Sequence, residues 1–139
     1  ALQRYGVDFM IKNDFTLVVP PLMLNKETLS GAVDLIAFEE VIYKVENEDL
    51  YLIGTAEHAL VSMFKDKTLR QEELPIKVTA LTPCFRKEIG GHGVDTKGLF
   101  RMHQFNKVEQ VVFSHPKDSS KNLELMQSIT EKFLPGWQD

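Results

Sequence analysis

Between Thr82 and Glu109 the chain reads TPCFRKEIGGHGVDTKGLFRMHQFNKVE, a segment that gathers Arg86, Glu88, Arg101, His103, Phe105 and Glu109. Arginine offers a permanent charge and a planar fork of donors, which suits a phosphate or a carboxylate. Carboxylates can accept from amines, and an aromatic ring can stack on a base. The spacing predicts a strand, a loop and a returning strand: a limb at Cys84-Phe85-Arg86-Lys87-Glu88, a loop from Gly90 to Gly98 with four glycines, and a limb from Leu99 back to Glu109. Period two puts Arg86 and Glu88 on one side and Phe85 and Lys87 on the other. On the return limb it puts Arg101, His103, Phe105, Lys107 and Glu109 on one face. Unpaired buried charge costs at least several kcal/mol, so with helices covering only one side of the sheet this face is the open floor of a nucleotide site.

The surrounding elements must hold that floor in place. Leu2, Tyr5, Phe9 and Met10 mark a helix over 2–12, followed by a strand over 15–19 that ends at Pro20-Pro21. Leu29, Val33 and Ile36 predict one helical face over 25–38, which Gly31 weakens. Residues 41–45 and 50–53 read as a hairpin around the acidic turn Glu46-Asn47-Glu48-Asp49. Thr55 is placed to cap a helix running to about Phe64, with Glu57 in its first turn. A strand over 74–81 leads into the central segment, and Leu123, Met126, Ile129 and Phe133 mark a closing helix over 119–134. The expected class is α+β, an antiparallel sheet flanked by helices, in one domain of 139 residues.

Composition narrows the function. A net charge of −4 argues against a general nucleic-acid binder, so any such contact must be local. One cysteine excludes an internal disulfide, and Cys84 beside Pro83 reads as a small buried residue rather than a nucleophile. His58, His92, His103 and His115 have no partners at zinc spacing, so no protein metal site is expected. No apolar run approaches the ~18 residues of a membrane span and no signal peptide is evident, which points to a cytoplasmic location.

CFRKE, a glycine-bearing loop and GLFRMHQFNKVE together resemble the second signature motif of class II aminoacyl-tRNA synthetases, and in wording the seryl-tRNA synthetase family. Thr55-Ala56-Glu57 is similar to that family's TxE element, and Pro20-Pro21 to the end of its first motif; the resembled proteins commonly have proline where this chain has Gly54. The resemblance runs from about Asp8 to Glu131. It implies that Arg86 holds the ATP α-phosphate and the amino-acid carboxylate, Glu88 accepts from the adenine amine, Phe105 stacks on adenine, and Arg101 grips the terminal phosphates. It implies that Thr55, Glu57 and Glu109 line the amino-acid pocket. His92 and Lys97 become candidates for tRNA contact. The implied reaction is activation of serine by ATP, with Mg2+ on the phosphates, then transfer to tRNA(Ser) by a homodimer. The third motif and the N-terminal coiled-coil arm are absent from the sequence, so the expectation is a partial catalytic core. A class II ligase charging a carrier protein, and a non-catalytic binding or regulatory paralogue, are the alternatives.

Overall fold

The computed structural model describes residues 1–88 and 101–134. Helix α1 (Leu2–Lys12) buries Val7 and Met10 and stacks Tyr5 and Phe9 against Phe133. Asn13 ends it, its side-chain amide donating to the Phe9 carbonyl at 2.8 Å. Asp14, at φ 64°, then turns the chain so that buried Phe15 enters the core ahead of β1 (Thr16–Leu17). Asp tolerates that left-handed conformation better than most residues.

The principal sheet has the order β1-β4-β5. Central strand β4 (Ile76–Phe85) pairs antiparallel with β5 (Gln104–Phe113) over ten residues, from Ile76 opposite Phe113 to Phe85 opposite Gln104. β1 joins the other edge of β4 in parallel, with Thr16 opposite Val78, so the sheet is mixed around its antiparallel pair. A second sheet pairs β2 (Met23–Leu24) with β3 (Tyr51–Leu52). The segment after β3 ties the two sheets together: Ile53 N–H donates to the Leu22 carbonyl at 3.0 Å, and the Ile53 carbonyl accepts from Phe85 N–H at 2.9 Å. That link sets residues 54–55 beside the end of β4.

Register assigns the faces. Val78, Ala80, Thr82 and Cys84 share a face with Val111, Glu109, Lys107 and Phe105, because directly opposed residues point the same way. At one end α4 (Ala56–Val61) covers this face, with Ala56 and Leu60 packed on Val78 and Ala80. Burying Leu60 completely contributes about 1.5–3 kcal/mol. α1 and α5 (Ser119–Phe133) cover the opposite face through Met10, Phe15, Ile129, Val108 and Val112. Helices therefore lie on both sides of the sheet rather than one, and the site face is open only at its Cys84–Phe105 end, beyond the start of α4.

The single helix expected over 25–38 is two. Asn25 caps α2 (Lys26–Ser30), and Asp34 caps α3 (Leu35–Phe38) by accepting from Ile36 and Ala37 N–H. An aspartate at an N-terminus competes with continuation of the preceding helix. Leu29 and Val33 pack in the core as expected, whereas Ile36 is 92% exposed. The hairpin exists as a Lys44–Tyr51 bridge, with Val45 N–H donating to Leu50 O at 2.9 Å and Leu52 N–H to Tyr43 O at 2.9 Å. β2 had no counterpart in the sequence reading, since two residues are too few to show a period. Among the described residues no helix is long and apolar enough to cross a membrane.

Candidate active site

Arg86 leaves the end of β4 on the parity of Cys84, toward the open face. Its backbone N–H donates to the His103 carbonyl at 2.9 Å, and the next N–H, of Lys87, to Val41 O at 2.9 Å. Its side chain is fixed twice: Nε donates to the Gly54 carbonyl at 3.0 Å, and Cζ lies 5.2 Å from the centroid of the Phe105 ring. The bond through Nε leaves the outer nitrogen pair as the edge suited to a bidentate anion.

Thr55 is the expected cap, and its one hydroxyl makes two hydrogen bonds. Its Oγ1 accepts from Glu57 N–H at 3.3 Å, capping α4, and donates to Glu109 Oε2 at 2.5 Å. Lys107, two residues before Glu109 on the same face, forms an ion pair with the same carboxylate. Glu109 is therefore held in a fixed direction, its side chain 19% exposed. Glu57 sits in the first turn of α4 and is exposed, outside the group of side chains that enclose the cavity.

That cavity has a volume of about 350 Å³. Gly54, Thr55, His58, Arg86 and Glu88 form its polar side; Val33, Phe38, Val41 and Ile42 form its apolar side. A second cavity of about 280 Å³ adjoins it at Glu88 and is bounded by Arg101, Met102 and Phe105. At the shared wall Arg101 Nη1 and Glu88 Oε2 form an ion pair of 2.7 Å that joins the two limbs. Glu88 adopts φ 51°, a left-handed conformation that costs a non-glycine residue about 1–2 kcal/mol. Strain of this kind is found where surrounding contacts dictate it.

The structure thus brings Arg86, Glu88, Arg101, Phe105, Thr55 and Glu109 together, and leaves Glu57 apart from them. His103 sits opposite Arg86, whose N–H donates to its carbonyl, and its Nδ1 shares a hydrogen bond with the Tyr43 hydroxyl. Glu57 faces solvent. His92 and Lys97 lie outside the described residues. Cys84 is fully buried, with Thr82 Oγ1 at 3.8 Å from its sulfur. His115 caps the turn before α5 by accepting from Lys117 N–H. Among the described residues no three His, Cys, Asp or Glu side chains are gathered as metal ligands.

Three participants were not singled out from sequence: the Gly54 carbonyl, Tyr43 and His58. A carbonyl leaves no mark in a sequence, and Tyr43 meets His103 across 60 residues. His58 follows Thr55 by three, one helical turn, which was the available signal. It is 8% exposed, and burial pushes its pKa below the ordinary 6.5; the charges of Lys107 and Arg86 add to that, against the opposing pull of Glu109.

A model of the tRNA synthetase class II core domain (G, H, P, S and T) matches residues 41–135. The serine–tRNA ligase of Thermoplasma volcanium is 52% identical over 132 residues, which are 95% of this chain and 30% of that protein. The crystal structure of the seryl-tRNA synthetase from Pyrococcus horikoshii complexed with ATP superimposes with a TM-score of 0.90 at 46% identity, covering 96% of this chain and 30% of that one. The cytoplasmic serine–tRNA ligase from Naegleria fowleri in complex with AMP gives 0.88 at 39% identity, covering 96% and 32%. The chain therefore spans about 30% of the length of the relatives it matches.

Proposed function

The chain belongs to the tRNA synthetase class II core domain family, and from that premise we propose that it carries the adenylate-forming floor of a seryl-tRNA synthetase. In the proposed reaction a carboxylate oxygen of serine attacks the α-phosphorus of ATP and pyrophosphate departs. A terminal tRNA(Ser) hydroxyl then takes the seryl group, and AMP leaves. The observation that carries this reading is the fixing of Arg86 by the Gly54 carbonyl immediately beside the Thr55–Glu109 bond. One backbone link joins the anion-binding fork on the wall of the 350 Å³ cavity to the Thr55 hydroxyl on the same wall, which bonds the Glu109 carboxylate beside it.

Each side chain then has a task that its chemistry suits. Arg86 binds the α-phosphate and the serine carboxylate, neutralising charge that builds on the phosphoryl oxygens during in-line attack. Glu109 and Thr55 take the serine ammonium and hydroxyl, and Glu57 adds negative potential from the first turn of α4. Phe105 offers its ring to adenine. Glu88 accepts from the adenine amine and Arg101 meets the terminal phosphates, which requires their mutual ion pair to open when ATP enters. That exchange costs little, because half-exposed ion pairs contribute about 0–1 kcal/mol. Positioning supplies most of the acceleration.

Mg2+ enters this reading bound to the ATP phosphates. An ion so placed keeps its waters and the phosphate oxygens and needs no all-protein cage. His92 and Lys97 are the proposed contacts to the tRNA acceptor end. The proposal includes a cytoplasmic homodimer joined through α1 and β1. Supporting it, β1 is a sheet edge with Leu17 43% exposed, and Val19 just beyond it is 92% exposed.

Titrating ATP into the full-length protein by calorimetry, with Arg86→Ala alongside, tests the reading. Saturable binding that the substitution removes supports it, and equal binding by both proteins contradicts it.

A further inference from the structure

His58 is a buried polar residue that the fold itself does not use. Its ring lies on the wall of the 350 Å³ cavity with Gly54, Thr55 and Arg86, and the residue is more than nine-tenths buried. Its Nδ1 is buried with no hydrogen-bond partner among the described residues. An unpartnered buried polar atom destabilises a fold, whereas an apolar side chain of similar shape at the same place carries no such penalty. The ring edge at Cε1 approaches Gly54, standing 3.5 Å from where a β-carbon on that residue would lie. His58 therefore abuts the residue whose carbonyl holds Arg86.

Burial disfavours the charged ring first, and the surrounding charges add to it. Arg86 follows β4, Lys107 and Glu109 come from β5, and on α4 itself Glu57 is exposed. Two cations against one carboxylate that Lys107 already engages favour the neutral ring. A neutral imidazole has one donor nitrogen and one acceptor nitrogen. A neutral ring sits beside Arg86 and Lys107 without adding a third positive charge and still offers an acceptor nitrogen.

We propose that His58 is a substrate-contacting residue of the site, presenting a neutral ring nitrogen as acceptor to a donor hydrogen, ammonium or hydroxyl, of the amino-acid portion of the bound adenylate. The proposal rests on the adenylate-forming reading above. In the free protein the Nδ1 edge is covered, so a half-turn of the ring about Cβ–Cγ, which exchanges Nδ1 with Cδ2, accompanies binding. The nitrogen is retained at a cost to folding because the ligand, and not the fold, supplies its partner.

The test uses full-length protein, a sulfamoyl analogue of seryl-adenylate titrated by calorimetry, and urea unfolding of the same samples. The variants are His58→Leu, which keeps bulk without a nitrogen, and His58→Asn, which restores an acceptor near Nδ1. The expected result is that His58→Leu binds at least tenfold more weakly while unfolding at an equal or higher urea concentration, and that His58→Asn recovers part of the affinity. Wild-type affinity should also fall at pH values below the ordinary imidazole range, with His58→Leu insensitive there. Wild-type affinity in His58→Leu would overturn the role of His58 while leaving the adenylate-forming reading intact. A parallel loss of affinity and stability in both variants would make His58 a packing residue. Failure of the wild type itself to bind the analogue would remove the underlying reading and the proposal with it.

Discussion

Replacing Thr55 with valine keeps the branched shape and removes one oxygen, and that oxygen makes two bonds. The first caps α4 through Glu57 N–H at 3.3 Å, and loss of such a cap costs typically ~1 kcal/mol. Because that bond is long and at the solvent edge of the helix, about 0.5 kcal/mol is the better figure. The second reaches Glu109 at 2.5 Å, and a hydrogen bond to a charged group is worth about 1.5–3 kcal/mol. Little of this is lost to solvent, since Thr55 is 8% exposed and the Glu109 side chain 19%. Lys107 still neutralises the carboxylate, so no bare charge remains. Thr55→Val should therefore destabilise by about 2–3.5 kcal/mol, read as a lower urea midpoint at unchanged slope. Thr55→Ser, which keeps the hydroxyl, should cost under about 1 kcal/mol by the same reasoning. A double-mutant cycle with Glu109→Gln should give a coupling of about 1–3 kcal/mol. A Thr55→Val midpoint equal to wild type, with no coupling to Glu109, would refute the claim that this bond orients the carboxylate.

Three further outcomes follow from the packing. Gly54→Ala should raise the urea midpoint, by about 0.4–1 kcal/mol in stability, because a β-carbon there meets His58, Phe85 and Arg86 only at ordinary contact distances of 3.5–3.9 Å; a fall would show that the site has no room for it. Leu60→Ala, at a fully buried position under α4, should cost about 2–5 kcal/mol, and denaturant unfolding checks it. His58, with its pKa lowered in the folded state, takes up its proton more readily when unfolded. Its contribution is thus complete above the unfolded value and is lost as pH falls through the lower folded one. Between pH 7 and 5 the wild type should lose more stability than His58→Leu, and parallel pH profiles would contradict this.

The chemistry of the site was legible in the sequence because it is local. Arg86, Glu88, Phe105 and Glu109 sit on two adjacent antiparallel strands or just beyond their ends, so period two predicted which of them share a face. His103, read as a residue of the floor face or simply a hydrogen-bonded histidine, stands opposite Arg86 and bonds to the Tyr43 hydroxyl. Gly31 and Asp34 both signalled a break in the helix over 25–38, yet the apolar spacing of Leu29, Val33 and Ile36 outweighed them; Ile36 points to solvent because Asp34 starts a new helix. The parallel pairing of β1 was not legible, because two paired residues carry no directional pattern. Thr55 was foreseen as a helix cap, and its hydroxyl accepts from Glu57 N–H while donating to Glu109, a partner 54 residues away that the local pattern could not show. His58 was passed over because it was weighed only as a zinc ligand, and its lack of a partner becomes visible only once the helix is packed.

The central claim is that Arg86, Thr55 and Glu109 form a floor that activates serine. Amino-acid-dependent exchange of pyrophosphate into ATP, measured on the full-length protein with serine, threonine, alanine and glycine, tests it most directly. Exchange with serine that greatly exceeds the other three and disappears in Arg86→Ala is the predicted result; exchange that persists without Arg86, or that shows no dependence on serine, would contradict it.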